Sequence, residues 1–110
     1  MKFRSLAVAG LFAALASVAA PLLAEGDPTA GKNKTAMCDG CHGIPGFRAA
    51  YPETYQVPKL GRQNPAYIVA ALKAYKAGER NHATMKAIAF TLTERDMVDL
   101  AAYYADAGKK

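Results

Sequence analysis

Cys38-Asp39-Gly40-Cys41-His42 holds both cysteines of this 110-residue chain and one of its two histidines. The C-x-x-C-H spacing reads as a c-type haem attachment site. Two thiols three residues apart at the end of a helix can each add to one vinyl group of a porphyrin, and the residue that follows then lies beneath the iron. Cys38 and Cys41 are therefore the expected attachment points and His42 the expected proximal iron ligand. Three other chemistries compete for these residues. A dithiol redox motif wants alternating strands and helices around it, which this sequence lacks. A structural zinc site needs four ligands, and three of the four available, Cys38, Cys41 and His42, crowd into five positions with His82 far away. A plain Cys38–Cys41 disulfide suits an exported chain, but it explains neither the long loop after it nor the thin apolar core.

Upstream, Lys2 and Arg4 precede an uncharged Ala/Leu/Val run over residues 5–24, which ends in Pro21-Leu22-Leu23-Ala24 before the polar Glu25-Gly26-Asp27. Basic, apolar and small-residue regions in that order are the layout of a secretory signal. Residues 1–24 are expected to be a signal peptide cleaved after Ala24, with Ala19 or Ala20 as alternative cleavage points, and the product is expected in the periplasm. The rival is a retained anchor, since about 20 apolar residues can cross a bilayer. An Ala-rich run is only weakly apolar, and Pro21 before a small residue suits a processing turn better. Lys2 and Arg4 are two of the 14 basic residues set against nine acidic ones, so their removal lowers the net charge from +5 to +3. Residues 25–110 then form one small domain, of a size that commonly needs a disulfide, metal or large cofactor to complete its core.

In that domain Asp27-Pro28 is a cap followed by a proline at the first helical position, predicting a helix over 28–38 or slightly beyond. Residues 40–61 are rich in Gly and Pro without periodicity and read as a long loop wrapped around something. Asn64-Pro65 opens a second helix with Tyr67, Ile68, Ala71, Leu72 and Tyr75 on one face and Gly78 as its stop. A basic link and a short apolar piece, 85–90, follow. Thr93 with Asp96 three residues on is a capping box for a third helix to Asp106, whose inner face is Met97, Leu100, Ala101 and Tyr104, with Gly108-Lys109-Lys110 closing it.

A sixth iron ligand must come from the opposite haem face. Met37 adjoins Cys38 and cannot reach around the ring, and Met97 lies on a core stripe. Met85, placed in a loop between two helices with no stripe to serve, is favoured by elimination. His82, in a polar setting, reads as a solvated surface histidine, with bis-histidine ligation as its alternative role.

With these pieces assembled, the sequence resembles a class I cytochrome c of the small bacterial c4 and c553 type over essentially all of residues 25–110. The matching segments are Cys38-Asp39-Gly40-Cys41-His42-Gly43, Pro58-Lys59-Leu60, Gln63 with Tyr67, Tyr75-Lys76-Ala77-Gly78-Glu79-Arg80, Met85, and Leu100-Ala101-Ala102-Tyr103-Tyr104. The resemblance implies an all-α cytochrome c fold with three main helices and short helical pieces around one covalent haem c. It implies Met85 as the iron ligand, and Pro58 as the residue whose carbonyl holds His42. The chain departs from the family in having Gly61-Arg62 where Ala-Gly often precedes the glutamine, and in a longer, more aromatic loop over 44–57.

A neutral imidazole and a thioether would favour Fe(II), and with both axial positions filled the iron offers no substrate site. The expectation is a monomeric periplasmic electron carrier rather than an enzyme. It would exchange electrons with redox protein partners and meet the membrane only transiently through their complexes. The alternatives are a haem enzyme or gas sensor with a labile sixth ligand, and an electron-transfer subunit of a larger oxidoreductase. Lys32, Lys34, Arg48, Lys59, Arg62, Lys73, Lys76, Arg80 and Lys86 surround the cofactor-bearing segments and could steer such partners. An excess of only +3 on an exported chain gives little support to nucleic-acid binding.

Overall fold

The computed structural model describes residues 25–50 and 54–107, and the elements follow from local chemistry at their ends. The expected leader, its cleavage after Ala24 and the 108–110 stop lie outside the described residues. Asp27 caps α1 (Pro28–Lys32) by accepting the Thr29 N–H. Helix α2 (Ala36–His42) carries the Cys-x-x-Cys-His segment. Two two-residue strands, β1 (Arg48–Ala49) and β2 (Tyr55–Gln56), pair antiparallel with Arg48 opposite Gln56. Asn64 caps α3 (Pro65–Ala77), which Gly78 ends at φ 80° by returning its N–H to Ala74 and Tyr75. His82 caps α4 (Ala83–Phe90), and the predicted Thr93/Asp96 capping box opens α5 (Glu94–Asp106).

Two expectations need correction. The single helix over 28–38 is broken at 33–35, because the Thr35 hydroxyl donates to the Lys32 carbonyl, competing with continued helical pairing. The loop over 40–61 is shorter than expected, since α2 runs through His42 and the small hairpin follows it. Strands of two residues are too short to show alternation, so sequence pattern could not reveal them.

The architecture is otherwise the all-α arrangement expected. Helix α5 packs against α1 and α3, and α3 also meets α4. The buried cluster is Ile68 and Val69 of α3, Leu92, and Met97, Leu100, Ala101 and Tyr104 of α5. Met97 is only 1 % exposed and serves the core as its stripe predicted. Tyr67, expected on the inner face of α3, is 52 % exposed, and Val69 takes its place. Arg62 adopts φ 68°, a left-handed conformation that glycine tolerates better, at the position where the family often has glycine. Its N–H donates to the Tyr104 carbonyl, which anchors the turn entering α3. No helix among the described residues is long and apolar enough to cross a membrane.

Candidate haem site

On α2, Cys38, Cys41 and His42 stand at i, i+3 and i+4, so all three share one helix face. Both thiols are half-buried and free, and the disulfide alternative is not realised. The His42 Nδ1 lies 2.7 Å from the Pro58 carbonyl oxygen. A carbonyl only accepts, so Nδ1 carries the proton and Nε2 presents a lone pair suited to a metal. This is the orienting hydrogen bond of metal-ligating histidines, which fixes ring and tautomer together. A cleft of about 610 Å³ lies beside His42, walled by Ile44, Pro45, Val57, Pro58 and Lys59 among others. Two free thiols and an oriented imidazole on one face are the donor set that a covalent haem requires.

The attachment helix is braced from α5. Tyr104, buried on the apolar stripe, donates its hydroxyl to Asp39 Oδ1 at 2.8 Å. Burial, reinforced by that hydrogen bond, holds the Tyr104 phenol well above its ordinary value. Cys38 packs against the buried cluster. Burial pushes its thiol up, and the Asp39 charge adds to it. Sequence reasoning placed Tyr104 in the core but missed its bond to Asp39. A tyrosine on a buried stripe needs a polar partner for its hydroxyl, and that need was the available signal.

Met85 lies on a separate element and is not among the residues that wall the cleft beside His42. Instead of a loop it occupies the first turn of α4, half-buried, and its N–H donates to His82 Nδ1 at 3.2 Å. His82 is correspondingly half-buried rather than a solvated surface residue, with the Tyr55 and Tyr75 rings edge-on to it. The helix was missed because histidine is an unusual cap, although Nδ1 can accept as an asparagine oxygen does. The basic set also divides. Lys34 bonds Asp96 and Asp99, Lys73 pairs with Glu94, Lys76 donates to the Leu92 carbonyl, and Arg80 lies over the Tyr75 ring. Arg48, Lys59, Arg62 and Lys86 are exposed.

Fold and donor set together define a small all-α haem-attachment domain. No family model matches the chain. Over 83 residues it is 39 % identical to cytochrome c-554(548) of Halomonas halodenitrificans, covering 73 % of this chain and 95 % of that protein. It is 35 % identical over 82 residues to cytochrome c4 of Pseudomonas aeruginosa and 42 % over 81 residues to that of Thiocapsa roseopersicina. These alignments take in 74 % and 73 % of this chain but 39 % and 40 % of the relatives, so it spans about two-fifths of their length. The chain belongs to the class I bacterial cytochromes c, electron-transfer proteins that carry haem c.

Proposed function

We propose that this protein is a periplasmic one-electron carrier, exported by cleavage after Ala24 and holding a single haem c between His42 and Met85. The observation that carries the reading is the His42 Nδ1 to Pro58 carbonyl hydrogen bond on a helix that also presents Cys38 and Cys41. Bound haem would supply the Fe(III)/Fe(II) couple. Cys38 and Cys41 would tether it through thioethers, with His42 Nε2 and the Met85 thioether filling both axial positions. An imidazole and a thioether, both neutral, favour the reduced state and leave no open coordination position for a substrate. Exposed Arg48, Lys59, Arg62 and Lys86 suit brief, electrostatically steered encounters with acidic faces of redox protein partners. The carrier acts as a monomer, without nucleic acid, and meets the membrane only through its partners.

Absorption spectra of protein matured in a periplasm, oxidised, reduced and under carbon monoxide, test the reading. The expected result is low-spin haem, a thioether-to-iron band in the oxidised form and no response to carbon monoxide. Met85→Ala should admit carbon monoxide and lower the potential. Met85→His should stay six-coordinate with a potential lower by a few tenths of a volt, a part of the roughly 0.8 V that axial ligands span. A Met85→Ala protein that keeps the thioether band overturns the ligand assignment, and ready carbon monoxide binding by the unsubstituted protein overturns the carrier reading.

A further inference from the structure

We infer that His82 is a positioning residue for Met85: clamped between Tyr55 and Tyr75, its imidazole caps α4 and fixes the turn that aims the thioether at the iron. The inference rests on Met85 being the ligand. Helix α4 has eight residues and no acidic side chain in its first turn, so little else fixes where it begins. His82 is extended at φ −160° and ψ 106°, and its Nδ1 accepts the Met85 N–H while its carbonyl accepts the Lys86 N–H at 2.9 Å. An N–H only donates, so Nδ1 is the unprotonated nitrogen of this ring. The cap thus bonds the backbone of the ligand residue itself.

The ring is held in turn by two elements. Tyr55 of β2 meets it edge-on, with centroids 4.8 Å apart at 89°. Tyr75 in the last turn of α3 approaches from 6.1 Å at 77°, and the Arg80 guanidinium carbon lies 4.4 Å from the Tyr75 ring centre. Three residues beyond Tyr55, Pro58 holds His42. The 55–58 segment therefore braces both ligands, Pro58 directly and Tyr55 through His82. That gives Tyr55, one of the aromatic residues in the enlarged 44–57 loop, a role at the iron rather than at the surface. A neutral thioether is a weak ligand for Fe(III). Preordering its turn adds directly to its competitiveness against other ligands, since the ordering cost no longer falls on the iron–sulfur bond.

The test is titration of the oxidised holoprotein with imidazole, which competes with the thioether, followed by the thioether-to-iron band. His82→Ala should raise the apparent imidazole affinity about fivefold, the size of a lost helix cap of about 1 kcal/mol. His82→Asn, which keeps a capping acceptor, should stay within about twofold of the unsubstituted protein. Tyr55→Leu, with the cap intact, should raise the affinity about two- to threefold, as expected for one lost ring contact. Unchanged affinity in His82→Ala, or an Asn variant no better than the Ala variant, overturns the positioning role while leaving Met85 in place. Retention of the band by Met85→Ala overturns the ligand assignment and the positioning role with it. Appearance of the band only on removal of His82 would make His82 the ligand, and overturns both.

Discussion

Asp99 is the residue whose setting sequence reading missed most completely. It is 2 % exposed, yet its carboxylate receives the Asp27 N–H at 2.9 Å, the Lys34 ammonium at 2.8 Å and the Arg95 guanidinium at 3.1 Å. Two of these partners lie more than sixty positions away, so nothing near Asp99 marks it as a buried anchor. The Lys34 hydrogen bond, then the Asp27 N–H, holds its pKa below the usual carboxylate range. Asp96 is lowered to about 2, chiefly by the Thr93 N–H and then by Lys34. A carboxylate depressed in the folded state binds fewer protons there than in the unfolded chain. Its stabilisation is therefore complete above the unfolded value near 3.8 and fades as the pH falls towards about 2. Asp99→Ala should cost about 1–3 kcal/mol at pH 7, since it removes the charged acceptor shared by Lys34, Arg95 and the partly buried Asp27 N–H. Urea denaturation of the holoprotein at pH 7 and at a pH below the unfolded value near 3.8 checks this: the deficit should shrink in acid, and a deficit independent of pH would mean that the lost packing, not the charge, mattered.

Among the elements, those specified by their own ends were legible and those specified by distant partners were not. Helices α3 and α5 announce themselves through Asn64-Pro65, Gly78 and the Thr93/Asp96 box, all within a few residues of the boundary. The attachment motif was equally plain, and Pro58 followed from the family resemblance. The break between α1 and α2, where the Thr35 hydroxyl donates to the Lys32 carbonyl, was not legible, because the Lys34 bonds to Asp96 and Asp99 that accompany it reach across the fold. Helix α4 and the hairpin were hidden for other reasons, one behind a histidine cap and the other in two-residue strands. The same long-range logic governs Gly26 and Gly31, where α5 runs so close that a Cβ would collide with the Val98 and Asp99 carbonyls respectively. At Gly31 the Tyr103 Cβ would also stand 2.9 Å away. Gly31→Ala must push α1 off α5, at a cost of about 1–3 kcal/mol or more for overpacking against backbone. A lowered melting midpoint with an unchanged haem spectrum is the expected result, since α1 carries no ligand. An unchanged midpoint would show that the two helices are not in this contact in solution.

At the scale of the whole molecule, the protein core and the attachment helix are largely separate. Seven side chains from α3, α5 and Leu92 form the buried cluster, whereas α2 contributes no buried residue of its own. Among the described residues, α2 is held by Cys38 against the cluster, Asp39 to Tyr104, and His42 to Pro58. Each is a single contact, and a net hydrogen bond contributes only about 1 kcal/mol. Domains of this size bury too small a fraction of their surface to spare such an element without a covalent or cofactor staple. Thioethers from Cys38 and Cys41 would supply that staple, fastening α2 to a large apolar group that the ligands from α2 and α4 would also grip. Cys38→Ala with Cys41→Ala should therefore lose more than the haem. The 33–61 segment should open to proteolysis, helicity should fall, and cooperative thermal unfolding should disappear, while residual α3–α5 pairing persists. Haem-stained denaturing gels read the loss of haem, and circular dichroism and limited proteolysis read the other three outcomes. A double variant without haem that stays fully helical and melts cooperatively would show that the protein core alone determines the fold.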